Sequence, residues 1–273
     1  MTSAGSASNT GYKRFIVLSG PRTGSSLLVD ALNSSPDIVC FGEIFNQRES
    51  IDYGVDGYDT ASTEDIALRS QSPGEFLSKR IFCNQPEHVR AVGFKFHYTH
   101  FWGFPGIRQI LEEDQDILVL HLQRHNLLRV LVSLKIAEET GIYFQHGGWR
   151  ARSLAMIAGL SRRLFSGRAQ PARPKVTISP DEFRQEAMAK AMTAKHWEEI
   201  LAGHQIFSVS YEDMTPDPQE EFARAQSFLG VTPSKLRVAF VRQNPQKLEE
   251  LIENYTELRD AFLGGPAEWM FSD

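Results

Sequence analysis

The hydrophobic positions of the chain fall into short continuous runs, separated by longer amphipathic stretches. Continuous apolar runs of this kind are typical of strands that are buried on both faces of a parallel sheet. They predict strands at residues 14–19, 37–41, 89–96, 116–122 and 205–210. Apolar residues at helical spacing predict helices at residues 25–33, 126–139, 179–201, 217–229 and 246–263. Alternating strands and helices predict an α/β fold, with a mostly parallel sheet and helices on both of its faces.

The same series predicts a single domain over residues 12–273, because no linker-like stretch interrupts it. Residues 1–11 are small and polar, and we expect them to form a disordered tail. Two segments, at about residues 47–75 and 142–176, are expected to be excursions from the fold. No apolar run approaches the roughly 18 residues that a membrane-spanning helix needs.

Composition narrows the class of protein. Of the 273 residues, 41% are hydrophobic and 23% are charged, which is typical of a soluble globular protein. The only cysteines are Cys40 and Cys83, so a disulfide scaffold and a cysteine-rich zinc site are both disfavoured. This cysteine content fits a reducing compartment, and we expect a cytoplasmic protein.

Charge narrows the choice of partners. The formal net charge of −5 argues against general nucleic-acid binding. Residues 140–180, however, contain no Asp or Glu and seven Lys or Arg residues. Either this stretch is a solvated face that pairs with acidic residues elsewhere, or it forms an electropositive surface for an anionic acceptor or an anionic membrane.

The most informative segment is the first strand with the turn and helix that follow it. A helix start offers backbone N–H groups and the positive end of a dipole, so phosphate binds there readily. Gly20 and Gly24 allow the backbone to curl around an oxyanion, and Arg22 adds a permanent charge with several donors. Further hydroxyl donors are Thr23, Ser25 and Ser26. The alternative is an ordinary turn with a capping serine, but the segment has more anion-binding features than such a turn needs.

The spacing of this loop disfavours ATP hydrolysis. A nucleoside triphosphatase loop reads G-x-x-x-x-G-K-[ST], with a lysine after the second glycine. Here Ser25 follows Gly24, and the first glycine lies one position too close. The dinucleotide pattern G-x-G-x-x-G is also absent.

Residues 19–28, SGPRTGSSLL, resemble the 5′-phosphosulfate loop of sulfotransferases that use 3′-phosphoadenosine 5′-phosphosulfate (PAPS). The loop has an arginine rather than a lysine, and in this it resembles the loop of bacterial carbohydrate sulfotransferases of the trehalose and nodulation-factor kind. The motifs Asn33-x-x-Pro36 and Phe41-Gly42-Glu43-x-x-Asn46 strengthen this resemblance. It implies a P-loop-like three-layer α/β/α sandwich, sulfuryl transfer from PAPS with release of adenosine 3′,5′-bisphosphate (PAP), and no metal.

The resemblance also implies the residues that bind the cofactor. Arg22 would neutralise charge on the transferring group, and backbone N–H groups of the loop would hold the 5′-phosphate. Arg124, after the fourth strand, and Ser133, on the next helix, would bind the 3′-phosphate. Residues 210–214 resemble a Tyr-Glu-Asp-Leu segment of the family. The implied cofactor-binding residues are Arg22, Thr23, Gly24, Ser25, Ser26, Leu27, Arg124, Ser133 and Tyr211.

A hydroxyl acceptor loses its proton as it attacks, so a base is expected near the loop. Glu43 is the first candidate, because it follows the second strand at the sheet edge that faces ligands. The trehalose-type enzymes also place a catalytic Glu in a matching Gly-Glu segment. The alternative is a loop carboxylate that pairs with an arginine such as Arg22.

The second candidate base is His97, and Lys95 is expected to act with it. Lys95-x-His97 resembles the Lys-Thr-His segment of eukaryotic cytosolic sulfotransferases, in which the histidine is the base. Strand alternation places both side chains on one face. His97 could equally be a packed core histidine, and His100 is a weaker candidate for the same role.

The expected acceptor is a hydroxyl of a carbohydrate, a glycolipid or another small molecule, held by residues 47–75 and 142–176. Two other functions compete with this interpretation. A nucleotide or small-molecule kinase with a degenerate loop would require magnesium-dependent ATP binding. A non-catalytic nucleotide-binding protein on the same fold would tolerate the loss of Glu43 and His97.

Overall fold

A computed structural model describes residues 11–46, 49–51, 53–55, 58, 61–104, 106–141, 174–237 and 244–272. The predicted tail, apart from residue 11, and residues 142–173 of the basic stretch lie outside the described residues. Residues 11–123 and 195–237 form one compact unit, here unit 1. Residues 124–194 and 244–272 form unit 2. The single-domain organisation stays a prediction, because compact units alone do not separate one domain from two.

Unit 1 contains a five-stranded sheet in which all the paired strands run parallel. The strands are β1 (Lys13–Ser19), β2 (Ile38–Phe41), β3 (Ala91–His97), β4 (Leu118–Gln123) and β5 (Ile206–Ser210). Their order is β2-β3-β1-β4-β5, which places β1 at the centre. The five predicted strands are confirmed, and the carboxyl ends of all of them meet at one edge of the sheet.

The helices agree with the predicted ones except in three regions. They are α1 (Ser25–Leu32), α2 (Thr63–Gln71), α3 (Pro73–Phe76), α4 (His100–Gly103), α5 (Gly106–Glu113), α6 (Leu127–Thr140), α7 (Pro180–Ile200), α8 (Tyr211–Met214), α9 (Pro218–Phe228), α10 (Leu248–Leu251) and α11 (Tyr255–Asp260). A π-helical turn, Leu77–Ile81, follows α3, and a 3₁₀ turn, Glu268–Phe271, ends the described chain. The sequence pattern missed α2–α5 and α8.

The continuous helix predicted at residues 246–263 is wrong. The chain is extended at Ile252, with φ −112° and ψ 125°, and this residue forms a parallel bridge with Val176. In this bridge the Val176 N–H donates to the Leu251 carbonyl at 2.8 Å and the Glu253 N–H donates to the Val176 carbonyl at 3.0 Å, so the segment divides into α10 and α11. Unit 2 has its own core, in which Leu128, Phe183 and Leu258 are fully buried.

The two faces of β1 belong to separate cores. Phe15 and Val17 pack with residues of α1 and α9. Ile16 and Leu18 lie on the opposite face, in a cluster that includes residues of α3 and α5 and Trp197 from the end of α7. Helices therefore cover both faces of the sheet. This confirms a three-layer α/β/α fold, and it is P-loop-like because the glycine-containing loop joins the central strand to α1.

The predicted excursion at residues 47–75 contains a well-capped helix. The Oγ of Ser62 accepts a hydrogen bond from the Asp65 N–H at 3.1 Å, and the Asp65 carboxylate accepts one from the Ser62 N–H at 3.2 Å. This reciprocal capping box starts α2. The spacing Ser-x-x-Asp was the available sequence signal for it.

The side chain of Asn33 covers part of the outer edge of β2. Its Nδ2 donates to the Cys40 carbonyl and its Oδ1 accepts from the Cys40 N–H, each at 2.7 Å. This amide forms the contacts that a neighbouring strand would otherwise make. It ties β2, and the segment that carries Glu43, to the end of α1.

Two further expectations concern the described residues alone. Cys40 and Cys83 are both free thiols. Within the described ranges, no helix combines the length and the apolar character that crossing a membrane requires.

Candidate active site

The predicted phosphate loop lies at the carboxyl edge of the sheet, between β1 and α1. Gly24 precedes α1 with φ +91°, and a Cβ at this position would lie 2.7 Å from Cδ2 of the Tyr211 ring. Both the left-handed backbone and the close approach of this ring require glycine. The Oγ1 of Thr23 donates to the Gly20 carbonyl at 2.9 Å, which closes the turn. The Leu27 N–H donates to the Gly24 carbonyl at 3.0 Å and so belongs to the first helical turn.

Several features of the loop fit an anionic ligand. Helix α1 starts without a side-chain cap. Ser19, just before the loop, is fully buried, and its hydroxyl has no hydrogen-bond partner among the described residues. Arg22 has φ +62°, a strained conformation for a residue with a side chain, which costs on the order of 1–3 kcal/mol and is found mainly at functional sites.

A buried tyrosine–histidine pair supports the same loop. The Oη of Tyr98 lies 2.5 Å from Nε2 of His121, and the Tyr98 ring packs against Gly20. Burial raises the pKa of Tyr98 and lowers the pKa of His121, so both side chains stay neutral near neutral pH. The sequence analysis missed this pair.

Glu43, just beyond β2, forms an ion pair that reaches the loop. Its Oε1 lies 2.8 Å from Nζ of Lys95, and the same Nζ donates to Oγ of Ser26 at 3.0 Å. Nε2 of His97 lies 3.9 Å from Oε1. Lys95 and His97 therefore do share one face of β3, as the alternation predicted. Lys95 is therefore a charged partner of Glu43.

The other carboxylate oxygen faces two neutral groups. Nδ2 of Asn46 donates to Oε2 of Glu43 at 3.0 Å. Nε2 of His100 lies 3.6 Å from the same oxygen, slightly beyond an ordinary hydrogen bond. The ring of His100 stacks on that of His97, with centroids 5.1 Å apart.

These contacts determine the charges of the cluster. Burial alone would raise the pKa of Glu43, but the His100 N–H and the charge of Lys95 outweigh it and hold that pKa well below its usual range. Glu43 is therefore ionised at neutral pH. Burial lowers the pKa of Lys95, against the opposing effect of Glu43. Burial, and then the charge of Lys95, lower the pKa of His97 to about 3, so its ring is neutral.

The potential ligand atoms of Glu43, His97 and His100 lie within 4.8 Å of one another, a spacing that could hold a metal ion. Two features of this donor set argue against a metal. The ammonium group of Lys95 already neutralises the carboxylate. Nδ1 of His100 accepts the backbone N–H of His97 at 3.2 Å, which leaves the ring proton on Nε2, the atom that would have to bind the ion. The cluster is suited to holding and moving protons.

A buried arginine that the sequence analysis missed fixes the chain beyond Glu43. Arg69 of α2 is only 2% exposed, and its Nη1 donates to the carbonyls of Ile44 and Asn46 at 2.8 and 3.1 Å. Its guanidinium lies 5.2 Å from the centre of the Phe104 ring. Arg69 thereby holds the segment whose Asn46 side chain contacts Glu43. No sequence motif indicated this contact.

Arg124 and Ser133, predicted to bind the 3′-phosphate, belong to unit 2. Arg124 comes directly after β4 and is half-buried. Ser133 lies in α6, is 7% exposed, and accepts a hydrogen bond from Nδ2 of Asn244 at 3.2 Å. Asn126 caps α6 by accepting the Arg129 N–H at 2.9 Å. The 3′-phosphate roles of both residues stay predictions, as do the roles of the loop residues.

The chain is similar to several known proteins. A crystal structure of a sulfotransferase from Alicyclobacillus acidocaldarius aligns with 92% of both chains, at a TM-score of 0.46 and 17% sequence identity. The family model described as "Sulfotransferase domain" matches residues 186–258. A protein named Nodulation protein H, from Rhizobium tropici, is 28% identical over 92% of this chain and 90% of its own. Another Nodulation protein H, from Rhizobium meliloti (strain 1021), is 25% identical over 92% of both chains.

The loop, the family match and these full-length relatives define the class of protein: the chain is an enzyme, a sulfotransferase. Within that class, its sequence is similar to the two Nodulation protein H sequences over 92% of its length.

Proposed function

We propose that this sulfotransferase takes its sulfuryl group from PAPS and transfers it in line to a hydroxyl of a carbohydrate, a glycolipid or another small acceptor, with Glu43 as the general base. The position of Lys95 carries this proposal. Its Nζ lies 2.8 Å from Glu43 Oε1 and 3.0 Å from Ser26 Oγ, so a single ammonium group joins the carboxylate to the loop.

The loop fits the phosphosulfate end of PAPS. Among the described residues, no side chain caps the helix start and none hydrogen-bonds to the buried hydroxyl of Ser19, and the loop adds the charges of Arg22 and Lys95. When bound, PAPS supplies the transferable sulfuryl group on a phosphate leaving group. Arg22 and the loop N–H groups would orient this end and stabilise its charge, which is where most of the catalysis is expected to arise. Arg124 and Ser133 would hold the 3′-phosphate.

Glu43 can accept the acceptor's proton because it is ionised. In the protein alone it is a weak base, since the charge of Lys95 stabilises the carboxylate. An anionic donor at the loop would give Lys95 a second anionic partner, and sharing the charge of Lys95 would raise the pKa of Glu43. Glu43 thus becomes a stronger base when the donor is in place.

His97 is the second candidate base. Its Nε2 is buried, has no hydrogen-bond partner within the described part of the chain, and lies 3.9 Å from Glu43 Oε1. An anionic donor would also raise its pKa from about 3. Comparing Glu43→Gln with His97→Gln in single-turnover transfer separates the two candidates: the base variant loses the chemical step and keeps donor binding.

The carbohydrate acceptor follows from the resemblance to bacterial carbohydrate sulfotransferases. Most of the predicted acceptor-binding segment, residues 142–173, lies outside the described residues. Trp102 in α4 is 77% exposed and is a candidate surface for stacking against a sugar ring.

The donor is tested by thermal unfolding with PAP, compared with ATP and magnesium. A ligand at about 100 times its Kd stabilises the folded protein by roughly 2.7 kcal/mol. We expect this shift with PAP alone and its loss in Arg124→Ala, whereas Arg184→Ala, an exposed arginine paired with Asp181, serves as the matched control. Stabilisation by ATP and magnesium instead would contradict the proposal and favour the kinase.

The reaction is tested with radiolabelled PAPS and a panel of oligosaccharides and glycolipids. We expect label on an acceptor hydroxyl with the wild type and none with Glu43→Gln. Binding of PAP without any transfer, unchanged by Glu43→Gln, would favour the non-catalytic nucleotide-binding protein.

A further inference from the structure

We propose that His100 is a positioning residue: it holds Glu43 as a neutral N–H donor and does not act as a base. This inference rests on the proposed role of Glu43. It begins with the backbone at the end of β3, because that backbone fixes which nitrogen of His100 carries the proton.

Strand β3 continues beyond the end of β2. Phe41, the last residue of β2, pairs with Phe94, whereas β3 runs on to His97. The Tyr98 N–H donates to the Ser19 carbonyl of β1. Because successive N–H groups of a strand point to opposite sides, the His97 N–H points away from β1, to the side where β2 has already ended. Nδ1 of His100 lies there, 3.2 Å from the His97 nitrogen.

This contact locks the tautomer of His100. A backbone N–H can only donate, so Nδ1 must present its lone pair, and the proton of the neutral ring is on Nε2. Packing prevents the ring from turning. It is 6% exposed, stacks on His97 at an interplanar angle of 23°, and meets the Phe96 ring edge-on at 5.6 Å.

The locked N–H points at one oxygen of the base. Nε2 of His100 faces Glu43 Oε2 at 3.6 Å, and Asn46 donates to the same oxygen. Oε2 thus has one neutral hydrogen-bond donor, Asn46, and the longer contact with His100, while Oε1 faces Lys95 and the loop. Oε1 lies on the side of Lys95 and the loop, which is the position from which it would receive the acceptor's proton. Because Nε2 already carries a proton, His100 has no lone pair on this side with which to act as a base.

Removing this donor changes the chemical step and its dependence on pH. Within the described part of the chain, the charged groups around Glu43 are Lys95 and, beyond it, Arg22, and the other titratable groups are His97, His100 and Cys40. None of the others replaces the lost N–H. We expect His100→Phe to lower kcat about tenfold, because Glu43 loses a polar contact that orients it towards the acceptor. The acidic limb of the kcat/KM profile moves to higher pH, and KM for PAPS stays unchanged.

Two conservative variants separate positioning from packing. His100→Gln has an amide nitrogen that can reach Glu43 Oε2, so it restores most of kcat and the wild-type acidic limb. His100→Asn can satisfy the His97 N–H through its shorter amide but has no group at the position of Nε2, so it behaves like His100→Phe. Equal activity in both variants, or a wild-type pH profile for His100→Phe, would overturn the inference.

A measurement without turnover completes the test. In wild-type protein labelled with ¹⁵N-histidine, long-range ¹H–¹⁵N correlations should show His100 with its proton on Nε2. A proton on Nδ1 would overturn the inference even if His100→Phe does not fold. Failure of the proposed function can be distinguished from failure of this inference. If the proposed function is wrong, the wild type transfers no sulfuryl group or Glu43→Gln retains transfer, and neither result depends on the tautomer of His100.

Discussion

The ion pair between Lys95 and Glu43 predicts stability changes of opposite pH dependence. The side chains are only 4% and 18% exposed, and removing one partner of a buried pair costs about 3–5 kcal/mol. The remaining group can avoid that cost by becoming neutral. Its neutralisation costs about 1.36 kcal/mol for each pH unit between the working pH and its ordinary pKa. The loss in the free energy of unfolding equals the smaller of these two costs, that of burying the lone charge or that of neutralising it.

For Lys95→Met, Glu43 loses its counter-charge, and we expect burial to raise its pKa above the ordinary value of 4.5, so the cost grows as pH rises. Neutralising Glu43 costs about 2 kcal/mol at pH 6, and this sets the loss of stability there. At pH 9 neutralisation costs more than the 3–5 kcal/mol of a buried charge, so the loss is about 3–5 kcal/mol. For Glu43→Gln, the unpaired Lys95 has an ordinary pKa of 10.5 and a lowered pKa in the folded state, so the cost grows as pH falls. Neutralising Lys95 costs about 2 kcal/mol at pH 9, which sets the loss of stability there. At pH 6 neutralisation is more costly, so the loss is the about 3–5 kcal/mol of a buried charge.

Urea unfolding at both pH values measures these costs, with circular dichroism and tryptophan fluorescence required to give coincident transitions. The double variant Lys95→Met/Glu43→Gln is the control. We expect it to lie within about 1 kcal/mol of the wild type at both pH values, because it leaves no unpaired charge. The reasoning would be refuted if the stability losses of both single variants changed with pH in the same direction. It would also be refuted if the loss in the double variant equalled the sum of the two single losses.

Two further predictions concern the same edge of the sheet. Gly24→Ala is expected to cost at least about 1–2 kcal/mol from its positive φ alone, and to abolish the thermal shift given by PAP. Adding Tyr211→Ala should relieve the 2.7 Å contact but not the backbone strain, and full recovery of the shift in this double variant would be inconsistent with that account. His97 titrates near 6.5 in the unfolded chain but only at about 3 in the folded protein, so it costs stability as pH falls below 6.5. Between pH 7.5 and 5 this amounts to about 2 kcal/mol, and His97→Gln should lose that much less stability over the same range in urea unfolding.

The features that could be predicted from the sequence are those set by residues close together in the chain, such as the apolar runs, the alternation along β3 and the glycine spacing of the loop. Buried parallel strands are continuous apolar runs, and their carboxyl ends share one edge, so the loop and Glu43 could be expected near each other. Alternation along β3 was enough to place Lys95 and His97 on one face, and the contacts of both with Glu43 confirm it. The glycine spacing likewise indicated the loop.

The features that the sequence analysis missed depend on distant contacts. Arg69 holds the carbonyl of Ile44, 25 residues away, and nothing in the pattern of α2 marks that arginine as buried. The bridge between Ile252 and Val176 ended a helix that periodicity alone would continue. His100 was considered only as a base, because its pairing with the His97 N–H depends on where β2 ends relative to β3.

The Asn33 amide has a consequence for how the protein behaves among other chains. β2 is a four-residue strand at the margin of the sheet, and an unpaired strand of that kind is a template on which another polypeptide can add. Asn33 occupies both the N–H and the carbonyl of Cys40, the hydrogen-bonding groups that an incoming strand would need there. The residue that anchors the segment carrying Glu43 therefore also blocks part of this margin against the addition of another strand.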